Sequence, residues 1–375
     1  MLASSSLGDC TKGGDPSLRL LQPLPVTTDT GEKPQSKLWH HGGRWWSVLP
    51  DEHGTHLWRL DDPTWTRMMT LATRSDYRAD CLSEGDTTFV LLFAGPEAEL
   101  VTLAYEHEQG ARGKYETLSD GFGRSRVDVS GSAETATIAR DASGRLWLAS
   151  DTSDAIEVRH TDPPYTHWSA PFSIATGVSD DDIGAVTALP DGQVGVFWSD
   201  QTRRRFGFRV HAPGAEPEDW SDDEVPGIGS ALDVGGGMSD DHINFAVAID
   251  GTLFVAVKTS YDTEGYTRVG LLVRRPSGQW DAFYHVDYQG TRPIVVVDES
   301  RDHLMVFYTS RDRGGDILYR ESAAMPIRFG RRKILLSGDL LNNASSTKQW
   351  VSGSLVLVAS TPSPSRVEGG IIRLR

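Results

Sequence analysis

Two stretches of this chain, residues 178–200 (VSDDDIGAVTALPDGQVGVFWSD) and 238–260 (MSDDHINFAVAIDGTLFVAVKTS), are copies of one module, and that internal repeat limits the fold more than any other feature. In each copy an apolar strand leads into an Asp-Gly turn (Asp191-Gly192, Asp250-Gly251) and a second strand follows, as a hairpin requires. The same hairpin recurs with turns at Gly42-Gly43, Glu84-Gly85-Asp86, Ser143-Gly144, Arg301-Asp302 and Ser352-Gly353. Seven units of roughly 40 to 60 residues result, a spacing that suits propeller blades.

A third β-rich strand follows each hairpin: THLWRL from 55, ELVTLAY from 99, AIEVRH from 155, RFGFRVH from 205, RVGLLVRR from 268, DILYRE from 316 and GIIRLR from 370. In five units an aromatic residue (Trp65, Trp168, Trp220, Trp280, Phe329) announces a fourth strand. The last unit reaches only its third strand, whereas SLRLL at 17–21 has no unit of its own. The expected fold is therefore an all-β, seven-bladed β-propeller with four-stranded blades, whose last blade is completed by the N-terminal strand, leaving no open sheet edge. Residues 17–375 are expected to be one domain, with 1–16 a loose tail. No segment keeps a 3.6-residue period, so helices should be few.

The net charge of −15 opposes nonspecific attraction to nucleic acid or an anionic membrane surface. The longest apolar runs are strand-sized and far short of the ~20 residues that span a bilayer. Neither partner class is expected, and the chain reads as a monomer. Cys10 and Cys81 lack metal-type spacing, and one bridge or two free thiols are equally open. The N-terminus shows no signal peptide, but an exported protein whose signal has been removed would look the same.

In a propeller the first strand of each blade lines a central channel. The starts of the seven first strands are polar: Lys37, Arg78 with Asp80, Glu134, Asp182, His242, Arg292 and Lys348. Four of these are cations in an acidic protein, so an anionic ligand such as a carboxylated sugar would fit the mouth they form. The competing reading is a solvated rim. His242 stands where the sister module has Asp182, and the loop after its partner strand brings Lys258 and Tyr261 to the same rim, supplying a candidate general base and acid. His40 and His41 fall at the far end of their strand and read as structural or exposed. The acidic runs 180–182 and 240–241 offer oxygens suited to Ca²⁺ but read equally as solvated turns. No cofactor is assigned, with Ca²⁺ the alternative. Asn342, Asn343 and the Ser-Ser-Thr after them read as side chains bonding the loop backbone. Most tryptophans fall at repeat-equivalent packing positions, which leaves Trp39, Trp46 and Trp350 as sugar-stacking candidates.

Segments such as SDDHINFAVAIDGTLFVAVKTSYDT, GTRPIVVVDES and NNASSTKQW resemble bacterial exported β-propellers of the sialidase-like type over residues 17–375. No intact Ser-x-Asp-x-Gly-x-x-Trp turn of sialidases is present. The architecture is also similar to seven-bladed propellers that cleave uronate polysaccharides with His and Tyr beside a carboxylate-neutralising cation. That resemblance implies a secreted or cell-surface protein acting on an anionic oligo- or polysaccharide, as a lyase or glycosidase. His242 would take the proton, Tyr261 would protonate the leaving oxygen, and Lys37, Arg78, Glu134, Asp182, Lys258, Arg292 and Lys348 would bind substrate. A non-enzymatic glycan-binding or protein-interaction propeller is the alternative.

Overall fold

The computed structural model describes residues 17–31, 33–107, 113–118, 123–227, 229–363 and 365–374. These form an all-β structure of antiparallel sheets, with a 3-10 turn at Pro190–Gly192 and no α-helix among the described residues. Likewise, no helix is long and apolar enough to cross a membrane. The expectations for residues 1–16 and for Cys10 lie outside the described residues.

The first sheet joins Leu38–His41, Arg44–Asp51, Gly54–Asp61 and Thr64–Ala72 in sequence order. Its opening hairpin turns on Gly42 and Gly43, both at positive φ, which is the backbone a two-residue type I′ turn demands. A Cβ on Gly42 would also strike the Tyr105 hydroxyl at 2.0 Å. The second sheet is Arg78–Glu84, Thr87–Ala94 and Glu97–Glu106, with both Lys114–Thr117 and Arg124–Asp128 pairing to the last of these. Ala136–Arg140, Leu146–Asp151, Ala155–Thr161 and Phe172–Thr176 make the third. The fourth has three strands, Gly184–Ala188, Val194–Asp200 and Arg205–His211. The fifth is Ile243–Val247, Leu253–Lys258, Val269–Arg274 and Tyr284–Asp287.

The remaining strands form one eight-stranded sheet. Thr291–Asp298, His303–Thr309 and Gly315–Ala323 lead to the long strand Lys333–Ser345, which pairs with Gly315–Ala323 on one side and with Ser354–Pro362 on the other. Ser365–Arg373 follows, and Ser17–Leu20 pairs antiparallel with it, Ser17 opposite Arg373 and Leu20 opposite Gly370. The strand at 17–20 thus meets the C-terminal strand, as its lack of a unit suggested.

Inner strands such as Leu146–Asp151 and Val194–Asp200 are buried at every position, which explains their near-continuous apolar runs. The core lies between sheets. One cluster joins the first sheet to the second through Trp46 and Val90, and others join second to third, third to fourth, fourth to fifth, and fifth to the strands after Thr291. A final cluster contains Leu49 and Trp58 of the first sheet together with Leu357 and Phe307 of the last.

The aromatic markers for fourth strands depart from expectation. Trp65 lies in a strand, Trp220 and Trp280 make single bridges only, and Trp168 and Phe329 lie outside strands. Their rings fill gaps between sheets: Trp280 packs edge-on against Phe208, and Trp220 against Trp147. The first strand expected from Lys348 is also irregular, with single bridges from Val351, in parallel, to Asp298 and from Ser352 to Ser354.

Candidate functional site

Carboxylates gather where the first strands begin. Glu134, Asp181 and Asp241 precede strands of the third, fourth and fifth sheets, and each offers an oxygen within 4.8 Å of the others. Lys33, in the left-handed conformation at φ 57°, bonds through Nζ to Glu134 Oε2 and Asp241 Oδ2. Next to it the His242 Nδ1 lies 2.7 Å from Asp240 Oδ1 and 2.6 Å from Asp241 Oδ1, so Nδ1 carries the proton and donates. Lys258 Nζ is 2.9 Å from Asp240 Oδ2.

These contacts pull the acids apart in proton affinity. Burial alone would raise Asp241, but the His242 hydrogen bond and the Lys33 charge overcome it and hold the carboxyl well below the usual range. Asp181 goes the other way, raised by burial and by the nearby Asp241 charge. Burial opposes the Lys33 ammonium, yet Asp241 and Glu134 outweigh it and keep its pKa above the ordinary lysine value. Of the carboxylates considered for Ca²⁺, Asp240 and Asp241 are engaged with His242 and with Lys258 or Lys33, Asp181 accepts from the Gln201 amide, and Asp182 accepts backbone N–H groups.

The other expected site residues are spread among different partners. Lys37 is buried, with Nζ 2.7 Å from the Ala79 carbonyl, so it does not stand at a solvent mouth. Asp182 is fully buried and accepts backbone N–H groups of Ser179 and Gln201, an anchor for its own loop and not a ligand for substrate. Burial raises its pKa. Arg78 donates to the Glu134 carbonyl at 3.2 Å. Arg292 donates to the Asp312 carbonyl at 3.0 Å. Lys348 Nζ lies 2.5 Å from Asp80 Oδ2, and Asp80 also accepts the Ser36 and Ile138 backbone N–H groups. Tyr261 is buried in the core between the fourth and fifth sheets, and burial raises its pKa. The His242 Nε2 is buried without a hydrogen-bond partner. The reactive atoms of His242 and Tyr261 therefore do not face an open substrate position. Trp39 and Trp46 are core residues, while Trp350 is 54% exposed.

Sequence reasoning missed Lys33 and Asp181. Lys33 precedes the first unit, and Asp181 was read only within an acidic run. It also missed the cross-links made by residues near Lys33: Thr30 bonds to Asn343, Gln35 to Ala136, and Ser36 to Asp80 and Ser346. Beside Gln35 and Ser36 lies a cavity of about 720 Å³ whose walls include Leu38, Leu82, Ile138, Val186, Phe245, Ile294 and Thr347. Of the expected catalytic and substrate-binding residues Lys348 lines it, together with the sugar-stacking candidates Trp39 and Trp350.

No family model matches the chain, and no curated protein matches it. Several solved structures are similar in fold. A putative 6-phosphogluconolactonase from Bacteroides uniformis aligns at 13% identity and TM-score 0.54, covering 84% of this chain and 87% of that one. Polysaccharide lyase Uly1 aligns at 9% and 0.52 over 94% and 93%. A protein of unknown function from Dyadobacter fermentans aligns at 11% and 0.51 over 96% and 99%. At such identities the likeness concerns fold alone.

Proposed function

We propose that the chain is a seven-bladed β-propeller, closed by its N-terminal strand, that hydrolyses a glycan at the Glu134–Asp181–Asp241 cluster. The observation that carries this reading is the gathering of the Glu134, Asp181 and Asp241 carboxylates, an oxygen of each within 4.8 Å of the others, with Lys33 bonded to two of them. Burial and the Asp241 charge raise the proton affinity of Asp181, which suits a proton donor, and the Lys33 ammonium favours the ionised Glu134 that a nucleophile needs. The sequential pairing of sheets through shared cores, with the first sheet packed on the last, supports the closed ring.

In this mechanism protonated Asp181 gives its proton to the glycosidic oxygen as the bond to the anomeric carbon breaks. The Glu134 carboxylate, 42% exposed at its side chain and fixed by Lys33, attacks that carbon. Water, deprotonated by the now ionised Asp181, then releases the sugar. The short separation suits this two-step retaining course, for which carboxyl groups lie about 5–5.5 Å apart. Asp241 orients Lys33, and His242 orients Asp241.

A uronate-bearing substrate, met by a monomer outside the cell, extends the proposal. Arg292, at the start of its first strand, pairs with no carboxylate among the described residues and supplies the cation for it. A panel of neutral and uronate oligosaccharides, assayed for reducing ends and for unsaturated products, tests both parts. Hydrolysis that Asp181→Asn and Glu134→Gln each lower at least 100-fold, in folded protein, supports the proposal. Unsaturated products would instead favour a lyase, and binding without turnover would leave a lectin.

A further inference from the structure

The cavity beside residues 34–36 has a different chemistry from the acidic cluster. Its walls are the inward faces of first strands, dominated by Ile138, Val186, Phe245 and Ile294, and it extends along them to hairpin ends such as Leu189-Pro190 and Ala248-Ile249. Ile249 and Trp350 stand at that end 66% and 54% exposed, and the Trp350 Nε1 donates to the Val247 carbonyl at 2.6 Å, which fixes the indole beside the strand leading to Ile249. The acidic cluster sits where first strands begin, and this cavity reaches the ends where they finish.

Polar side chains share the wall, and its two ionised groups are already paired, Glu84 with Arg140 and Lys348 with Asp80. The Lys348 ammonium is already neutralised by Asp80, so the wall presents no net charge there. Asn244 and Gln349 spend their carbonyl oxygens on the backbone N–H groups of Val295 and His40, and their amide NH₂ groups donate to no described residue. Burial lowers the His40 pKa, in the sense that disfavours a charged ring at the lining. Volume, largely apolar walls and two amide donors on the lining match the properties of small-molecule pockets, which run to roughly 300–1,000 Å³ with a few orienting polar groups. A hydrophilic, charged chain would lose its hydration against Val, Ile and Phe without recovering equivalent hydrogen bonds.

We infer that this cavity is a second binding site, independent of the acidic cluster. It takes an uncharged, predominantly apolar small molecule, aromatic or terpenoid in character, bearing a hydrogen-bond acceptor for Asn244 or Gln349. The molecule enters past Trp350 and Ile249.

The uncharged fluorophore N-phenyl-1-naphthylamine is the probe, titrated into the full chain while its emission and energy transfer from tryptophan are followed. Saturable binding of one molecule per chain is expected. Ala246→Phe with Ala188→Phe, which fill the cavity, should weaken binding at least tenfold, and the exposed substitution Ile249→Asp at least threefold with the thermal midpoint unchanged. Asp181→Asn should leave binding unaltered. Non-saturable binding, or affinity unchanged in both the filled and the Ile249→Asp variants, overturns the inference. Weakening by Asp181→Asn to the same degree shows that the probe reads the acidic cluster instead, and also overturns it.

Discussion

Asp80 shows how one side chain can be read wrongly from position and correctly from contacts. Beside Arg78 at the start of a first strand it looks like a rim carboxylate, yet it is fully buried and accepts from Lys348 Nζ and two backbone N–H groups. Removing one partner from a buried charge pair leaves the other charge and its donors uncompensated, at a cost of about 3–5 kcal/mol. Asp80→Ala should therefore lower the unfolding free energy in urea by that amount, with the slope on denaturant unchanged. A loss below about 1 kcal/mol would mean that Lys348 swings out to solvent and that Asp80 is no anchor. His242 teaches the same lesson in reverse. Its departure from the repeat was legible and pointed to a chemical cluster, but two neighbouring carboxylates use its Nδ1, so its contribution passes through Asp241.

At the scale of the strand, most of the fold was legible, because turn chemistry and alternation are local properties. The hairpin at Gly42-Gly43 and the strand Arg205–His211 follow directly from their residues. The outer strands were harder to read. Trp168, Trp220 and Phe329 mark gaps between sheets, and a ring that fills such a gap needs no β pairing of its own. The site was less legible still, since its ion pairs join residues far apart in sequence: Lys33 and Asp241 are separated by 208 positions, Lys348 and Asp80 by 268. One strand assignment has a direct consequence. Ser17–Leu20 covers the edge of Ser365–Arg373, and an uncovered edge presents unpaired N–H and C=O groups to other chains. Deleting residues 17–20 should lower the thermal midpoint and produce concentration-dependent association in light scattering. An unchanged midpoint with monodisperse protein would show that the remaining pairing of Leu24–Pro25 protects the edge well enough.

Across the whole molecule, segment 33–37 acts as a strut, because Lys33 ties loops of the third and fifth sheets through a largely buried ammonium. Its contribution must depend on pH in a definite direction. Asp241 has a depressed pKa in the folded state, so its ion pairing stabilises the fold fully above the unfolded value, near 3.9, and is lost progressively as pH falls towards the folded one. The raised pKa of Lys33 stabilises at every pH below the unfolded lysine value, near 10.4, and fades only as pH rises through the folded one. At neutral pH both conditions hold. Lys33→Met should then destabilise by about 2–3 kcal/mol, somewhat less than a fully buried pair because His242 still faces Asp241. Below pH 4 the same substitution should cost progressively less, since the unfolded chain takes up the proton that the ion pair kept off Asp241. Urea unfolding of both proteins at pH 7 and pH 3 measures the difference. A penalty that stays constant or grows towards pH 3 would show that Lys33 holds the segment by packing of its methylene stem and not by charge, and His242 would then be the group that holds Asp241 ionised.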